Sequence, residues 1–154
     1  MYLRHLRNSD PRKLSYLRTE LQEKYSLRSY ITYIENPLYR STIAKLRTHS
    51  HCLLQESHTY LNCPAFCQNC NSNSIETPFH FLLECDNRHL EKLRRPIIDR
   101  LGITSHNKQA KFKDIMCGQV PINNSSFIYK TVHEMYEKRQ LDDLREGVTM
   151  VGQV

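Results

Sequence analysis

Cys67-Gln68-Asn69-Cys70-Asn71-Ser72-Asn73-Ser74-Ile75-Glu76-Thr77-Pro78-Phe79-His80-Phe81-Leu82-Leu83-Glu84-Cys85 is the stretch around which the chain is organised. Read as ligands it is C-x2-C-x9-H-x4-C, three thiols and one imidazole. A Cys₃His set matches the four tetrahedral donors that Zn²⁺ takes in structural sites, and it leaves no open position. The two-residue gap lets one tight turn present Cys67 and Cys70 to a single ion. The Asn-Ser-Asn-Ser run that follows lets the chain turn back. Thr77-Pro78 predicts a helix start, with Thr as N-cap and Pro at the first helical position. On a regular helix His80 and Cys85 stand about 140° apart around the axis. Both therefore reach one ion only if Cys85 sits at a terminal turn, and Asp86-Asn87 directly after it fits such an end.

For any single residue here a buried Cys or a core His beside Phe79, Phe81 and Leu82 is the simpler reading. Four ligand-type residues in one short segment favour zinc. Cys63 is an alternative ligand, because Cys63-Pro64-Ala65-Phe66-Cys67 has a gap that also occurs in zinc pairs. Proximity to the His80/Cys85 arm favours Cys67 and Cys70.

The rest of the sequence bounds what such a staple must hold together. The 154 residues suit one domain, and with 39% hydrophobic residues and no Trp the core is modest for that length. Metal would add stability to such a chain. Six Cys clustered with His among many Lys and Arg fit a metal site in a reducing, intracellular compartment, nuclear or cytoplasmic, better than a disulfide framework. No apolar run approaches a membrane span, and the N-terminus lacks the apolar core of a signal peptide. The formal charge is +6 and the pI about 9.1, a balance that favours polyanionic partners.

In chain order, residues 1–9 form a basic arm or the broken end of something larger. A single helical domain spans 10–146, with the zinc segment at 63–86 and a tail at 147–154. Asp10-Pro11 opens a helix carrying Leu14, Leu17 and Leu21, which runs to about Tyr25. Asn36-Pro37 opens another, with Leu38, Ile43 and Leu46 inward, Arg40, Lys45 and Arg47 outward, and an end near Thr48–Ser50. The stretch from His51 to Tyr60 has no clear period and is an irregular or short helical connector. Asn87 caps a helix whose Leu90, Leu93, Ile97, Ile98 and Leu101 share one face, with a kink expected at Pro96 and a stop at Gly102. Residues 103–124 are a looser region with Pro121 and Asn123-Asn124, broken by a short helical pattern that carries Phe112, Ile115 and Met116. Ser125 or Ser126 caps a last helix through Ile128, Val132, Met135 or Tyr136 and Arg139, ending near Gly147. With no strand-like alternation, the expected class is mostly α: a small helical domain stapled by a structural zinc site of the knuckle kind.

The Cys-x-x-Cys pair, followed by Asn73, Ile75, Glu76, His80, Phe81, Leu82 and Cys85, resembles the zinc-binding segment near the C-terminal end of non-LTR (LINE-like) retrotransposon reverse transcriptases. Upstream, Lys45-Leu46-Arg47, His51, Leu53, Glu56 and Tyr60 look like the stretch that precedes this segment in some of those elements. Downstream, Phe127-Ile128-Tyr129-Lys130 and Lys138-Arg139 look like their closing helix. The resemblance covers roughly residues 12–140. It departs at His58-Thr59, where those elements carry Gly-Arg, in a shorter spacer from Tyr60 to Cys67, and at Asp86, where a proline is usual. It implies bound zinc, an RNA or DNA partner, and a polymerase region of a longer parent protein.

The machinery of that parent is missing from these residues. The one adjacent acidic pair, Asp142-Asp143, reads as a solvated helix face, and no Tyr-x-Asp-Asp, phosphate-cradling glycine loop or G-x-S-x-G occurs. Cys67-Gln68-Asn69-Cys70 lies in a polar loop with no strand signal, unlike a redox pair at a helix start. Four zinc ligands close the position a hydrolase needs, and His49, His51 and His58 are better read as packing or capping residues. The expected function is therefore non-catalytic nucleic-acid binding. Arg40, Lys45, Arg47, Arg94, Arg95, Lys111, Lys113, Lys138 and Arg139 are the phosphate-contact candidates, and Tyr60 or Phe66 could stack on an unpaired base. Each cation alone reads as a solvated surface charge. A structural or protein-interaction zinc domain, including an inert mobile-element remnant, is the alternative. Cys52 and Cys117 are expected to be buried small residues.

Overall fold

The computed structural model describes residues 33–48, 51–55 and 64–151, with side chains described as far as 142. The basic arm, the helix expected over 10–25, Cys63, Tyr60, His49 and His58 lie outside the described residues. Four α-helices form the described body: α1 (Pro37–Arg47), α2 (Arg88–Leu101), α3 (Lys108–Cys117) and α4 (Ile122–Val151). A short wide turn, His80–Glu84, precedes α2. The protein is mostly helical, as its periodicity predicts, and the described residues contain no strand.

Helix α1 starts where Asn36-Pro37 predicts. The Asn36 side chain accepts from the Leu38 N–H at 2.9 Å, and Pro37 occupies a position whose N–H would have had no helical partner. The helix stops at Arg47, where the N–H and the hydroxyl of Thr48 both donate to the Ala44 carbonyl. Ile43 and Leu46 are buried as expected. Two positions are reversed: Leu38 is 63% exposed, whereas Arg47 is 4% exposed and donates to the Met116 carbonyl at 2.7 Å. Leu38 lies in the exposed first turn, while Arg47 points at the carbonyl end of α3, where a cation is favoured.

Asn87 caps α2 by accepting from His89 and Leu90, and Leu90, Ile97 and Leu101 bury one face of the helix. The helix runs on through Pro96. Gly102 ends it at φ 59°, ψ 44°, a left-handed conformation that costs glycine little, and Ile103 then bonds back to Ile98. Helix α3 ends in the same manner. Gly118 donates to Ile115 and Gln119 to Asp114, the paired bonds of a Schellman stop, with Cys117 fully buried ahead of them. Cys52 is only half-buried.

Helix α4 departs most from expectation at its start. It begins at Ile122, directly after Pro121, with the first turn closed from Asn124 N–H to the Pro121 carbonyl. Ser125 and Ser126 thus lie inside the helix, where the Asn pair suggested a break. The proline supplies the start, because its fixed φ suits a helix entry. The helix also passes Gly147 to reach Val151. Ile128, Val132 and Arg139 of the helical spacing are buried, together with both Met135 and Tyr136, between which the spacing did not choose. Helix α4 packs on α1 and α2, α3 packs on α1, and the His80–Glu84 turn packs on α2. One core joins Ile43, Leu46, Phe81, Leu82, Ile97 and Ile115 to the inner face of α4. The metal segment is thereby seated on the core through its own Phe81 and Leu82.

Candidate metal centre

The knuckle is built from backbone bonds before any side chain acts. Phe66 and Ile75 form an antiparallel bridge, with Cys67 donating to Ser74 at 2.8 Å and Glu76 to Ala65 at 3.0 Å. The reversal between them passes through Asn73 at φ 53°, a left-handed conformation that asparagine tolerates better than most residues. The polar run 71–74 thus turns the chain back as its composition predicts, and it holds Cys67 and Cys70 on one side.

Thr77 then caps the second arm, its hydroxyl accepting from the His80 N–H at 3.0 Å. The first turn is ordinary, Phe81 N–H to Thr77 carbonyl, but the next closes from Cys85 N–H to His80 carbonyl at 2.7 Å. That is a five-residue step, the π geometry, in place of the usual four. The widened turn answers the 140° problem posed by the H-x4-C spacing. With the step matched to the spacing, Cys85 falls under His80 rather than around the helix from it. Cys85 itself leaves the helix at φ −56°, ψ 125°, the terminal position the sequence required.

Cys67, Cys70, His80 and Cys85 therefore converge, with one donor atom from each lying within 4.8 Å of all the others. The Sγ atoms of Cys67 and Cys85 are 3.8 Å apart, and Cys70 Sγ is 3.4 Å from His80 Nε2. Two sulfurs at Zn–S distance on a tetrahedron are separated by about 3.8 Å, and a sulfur and an imidazole nitrogen by about 3.5 Å. The spacing is far too long for a disulfide, and all four sites are free thiols or imidazole. The donor set and its dimensions fit a tetrahedral metal ion. Cys67, His80 and Cys85 are buried, while Cys70 is half-exposed beside the Ser72 hydroxyl at 3.0 Å. Cys63 is outside the described residues, and the four described ligands complete a set without it.

Without metal the cluster shares its protons unequally. The hydrogen bond to Cys85, reinforced by burial, pushes the Cys67 thiol up to about 12. The same bond, seen from its accepting end, holds Cys85 below the ordinary thiol range against the effect of burial. His80 is raised, first by its hydrogen bond with Cys67, then by Cys70, with burial opposing. A metal ion would displace these protons and draw on both thiols and imidazole together.

A shell of hydrogen bonds holds the ligand arms. Asn87 donates to the Asn69 carbonyl at 3.3 Å, tying the start of α2 to the knuckle. Glu76, 1% exposed, accepts from Arg139 through both carboxylate oxygens at 2.6 and 2.9 Å and from the Leu54 N–H at 2.9 Å. Arg94, 4% exposed, donates to the carbonyls of Leu82, Cys85 and Phe81 at 2.7, 2.6 and 3.0 Å. These carbonyls belong to the end of the wide turn, where no further helical N–H would reach them. Burial lowers the Arg94 pKa from its ordinary value, and the charge of Cys85 opposes that shift.

Three of the phosphate-contact candidates are thereby internal. Arg47, Arg94 and Arg139 are buried and direct their guanidinium groups at carbonyls or at Glu76, so they leave the candidate surface set. Their helical spacing could not separate an inward arginine from an outward one. Lys45 and Arg95 are exposed, and Arg40, Lys111, Lys113 and Lys138 are half-buried. The structure adds Arg88 and Lys92, exposed seven and three residues before Arg95 on the same face of α2. The Asn87 cap, once taken as the register of α2, would have revealed that stripe in the sequence. Phe66 is 50% exposed beside exposed Ile75. No described helix is long and apolar enough to cross a membrane. No protein-family model, curated protein or solved structure matches the chain.

Proposed function

We propose that this chain is a non-catalytic, zinc-stapled helical module that holds RNA or DNA, a counterpart of the zinc segment of non-LTR retrotransposon reverse transcriptases. The convergence of Cys67, Cys70, His80 and Cys85 into one cluster of tetrahedral dimensions carries the reading. Thiolate and imidazole donors in that geometry suit zinc, and four of them leave no position for a catalytic water. The ion would be structural, fixing the knuckle against the wide turn. Nucleic-acid binding is supported by the Arg88/Lys92/Arg95 stripe, the exposed Lys45 and the +6 charge, with the half-exposed Phe66 ring available for stacking.

Protein purified without chelator should carry one zinc per chain by elemental analysis, and C70S and H80A should lose both the ion and part of the helicity. Binding of RNA and duplex DNA should then weaken steeply with salt. Replacing Arg88, Lys92 and Arg95 together by Gln should flatten the duplex salt slope by about 0.9 for each phosphate contact removed. Zinc without salt-dependent binding would instead favour a protein-interaction domain, for which the exposed Phe66–Ile75 pair is the specific attraction.

A further inference from the structure

A buried guanidinium ordinarily sits opposite a carboxylate, because an isolated charge inside a protein is costly. Arg139 obeys that rule with Glu76. Arg94 does not: its three hydrogen bonds all end on neutral carbonyls, and among the described residues no carboxylate stands within ion-pair distance of it. The acidic side chains that flank it in sequence, Glu84, Asp86 and Glu91, are exposed to water. What Arg94 does adjoin is Cys85, whose carbonyl it grips at 2.6 Å and whose sulfur belongs to the metal cluster.

The loaded centre has a definite charge. Zn²⁺ bound by three cysteines and a neutral histidine displaces three thiol protons to solvent, so two positive charges meet three thiolates and the site keeps a net charge of −1. We propose that Arg94 is the counter-ion of the loaded metal centre, a positioning residue that makes the fold favour a divalent ion on three thiolates. The inference rests on the zinc reading above. The metal-free protein then holds a buried cation favoured only by Cys85 and by exposed carboxylates beyond ion-pair distance, and loading supplies a full anion beside it. Hydrogen bonding to the carbonyls 81, 82 and 85 explains where the guanidinium is held. A neutral donor could also have capped those carbonyls; their partial negative charge favours a cation, and a thiolate centre beside it favours one further.

The test is a titration of reduced, metal-stripped full-length protein with Zn²⁺ against a chromophoric chelator, for wild type, R94K and R94M. The proposal expects R94M to bind zinc about 10- to 100-fold more weakly, the loss typical of a partner lying behind the ligands. R94K, which keeps the charge but not the three-pronged reach, should retain most of the affinity. Zinc should raise the melting temperature of R94M by less than it raises that of wild type. If Arg94 is only a cap, R94M and R94K will lose thermal stability alike in both metal states with zinc affinity unchanged, and the proposal is overturned. If R94M does not fold, R94K decides alone: affinity near wild type supports the charge, and a loss as large as that of C70S overturns it. A wild type that takes up no zinc would defeat the metal reading itself, and is recognised before any Arg94 variant is compared.

Discussion

At the scale of single residues, buried polar groups carry the most weight. Glu76 has one route to being buried, which is to have both oxygens occupied by Arg139 and one of them also by Leu54. E76Q leaves the Arg139 charge inside without its partner and should cost about 3 to 5 kcal/mol in urea unfolding at saturating zinc. The double replacement E76M/R139M should cost much less, since no charge is then stranded. Tyr129 and Cys117 set an alkaline limit. Burial raises both above their ordinary values, with neighbouring negative charge adding to the shift on Tyr129. The folded chain thus holds these protons after the unfolded chain has begun to release them. Their stabilisation is complete below the ordinary thiol and phenol pKa values, about 8.5 and 10, and is lost as pH rises through and beyond them. Y129F gives up the bond to the Ile115 carbonyl, about 1 kcal/mol, yet should lose less further stability than wild type between about pH 8 and about pH 10.5. Urea midpoints at the two pH values check this.

At the scale of elements, starts and stops were legible where one residue type enforces them. Asn36-Pro37, Thr77-Pro78, Asn87 and Gly102 all act as their chemistry predicts. Gly102 stands at φ 59° with open space around the position of a side chain, so G102A meets backbone strain and no clash. It should cost about 1 kcal/mol, and G102N less, measured by thermal unfolding. The start of α4 was misread because Asn123-Asn124 resembles a loop, while Pro121 had already committed the chain to helix. The wide turn at His80–Glu84 could not be read from composition, since Phe81, Leu82 and Leu83 suit either helical step. Only the demand that His80 and Cys85 meet at one ion pointed to something other than a regular turn.

At the scale of the whole molecule, the mostly helical class and the four ligands were legible because both are local: one is a periodicity, the other a spacing. What was hidden depends on which neighbour each arginine meets. Arg47, Arg94 and Arg139 were candidate surface cations, and each proved to be an internal tie, Arg47 and Arg139 between distant parts of the chain and Arg94 to the turn before its own helix. The surface cations that remain, with Arg88 and Lys92 added, are exposed or half-buried. Helix α4 brings the last of these ties, since Arg139 lies 63 residues after the carboxylate it neutralises. That separation has a consequence during synthesis. At ribosomal speeds of about 5–20 residues per second, Glu76 waits about 3 to 13 seconds for its partner to be made. All four candidate ligands, from Cys67 to Cys85 only 18 positions later, are complete early in that interval. The cluster is therefore open to an ion before helix α4 exists, and a knuckle so loaded would be a fixed point against which the later helices close.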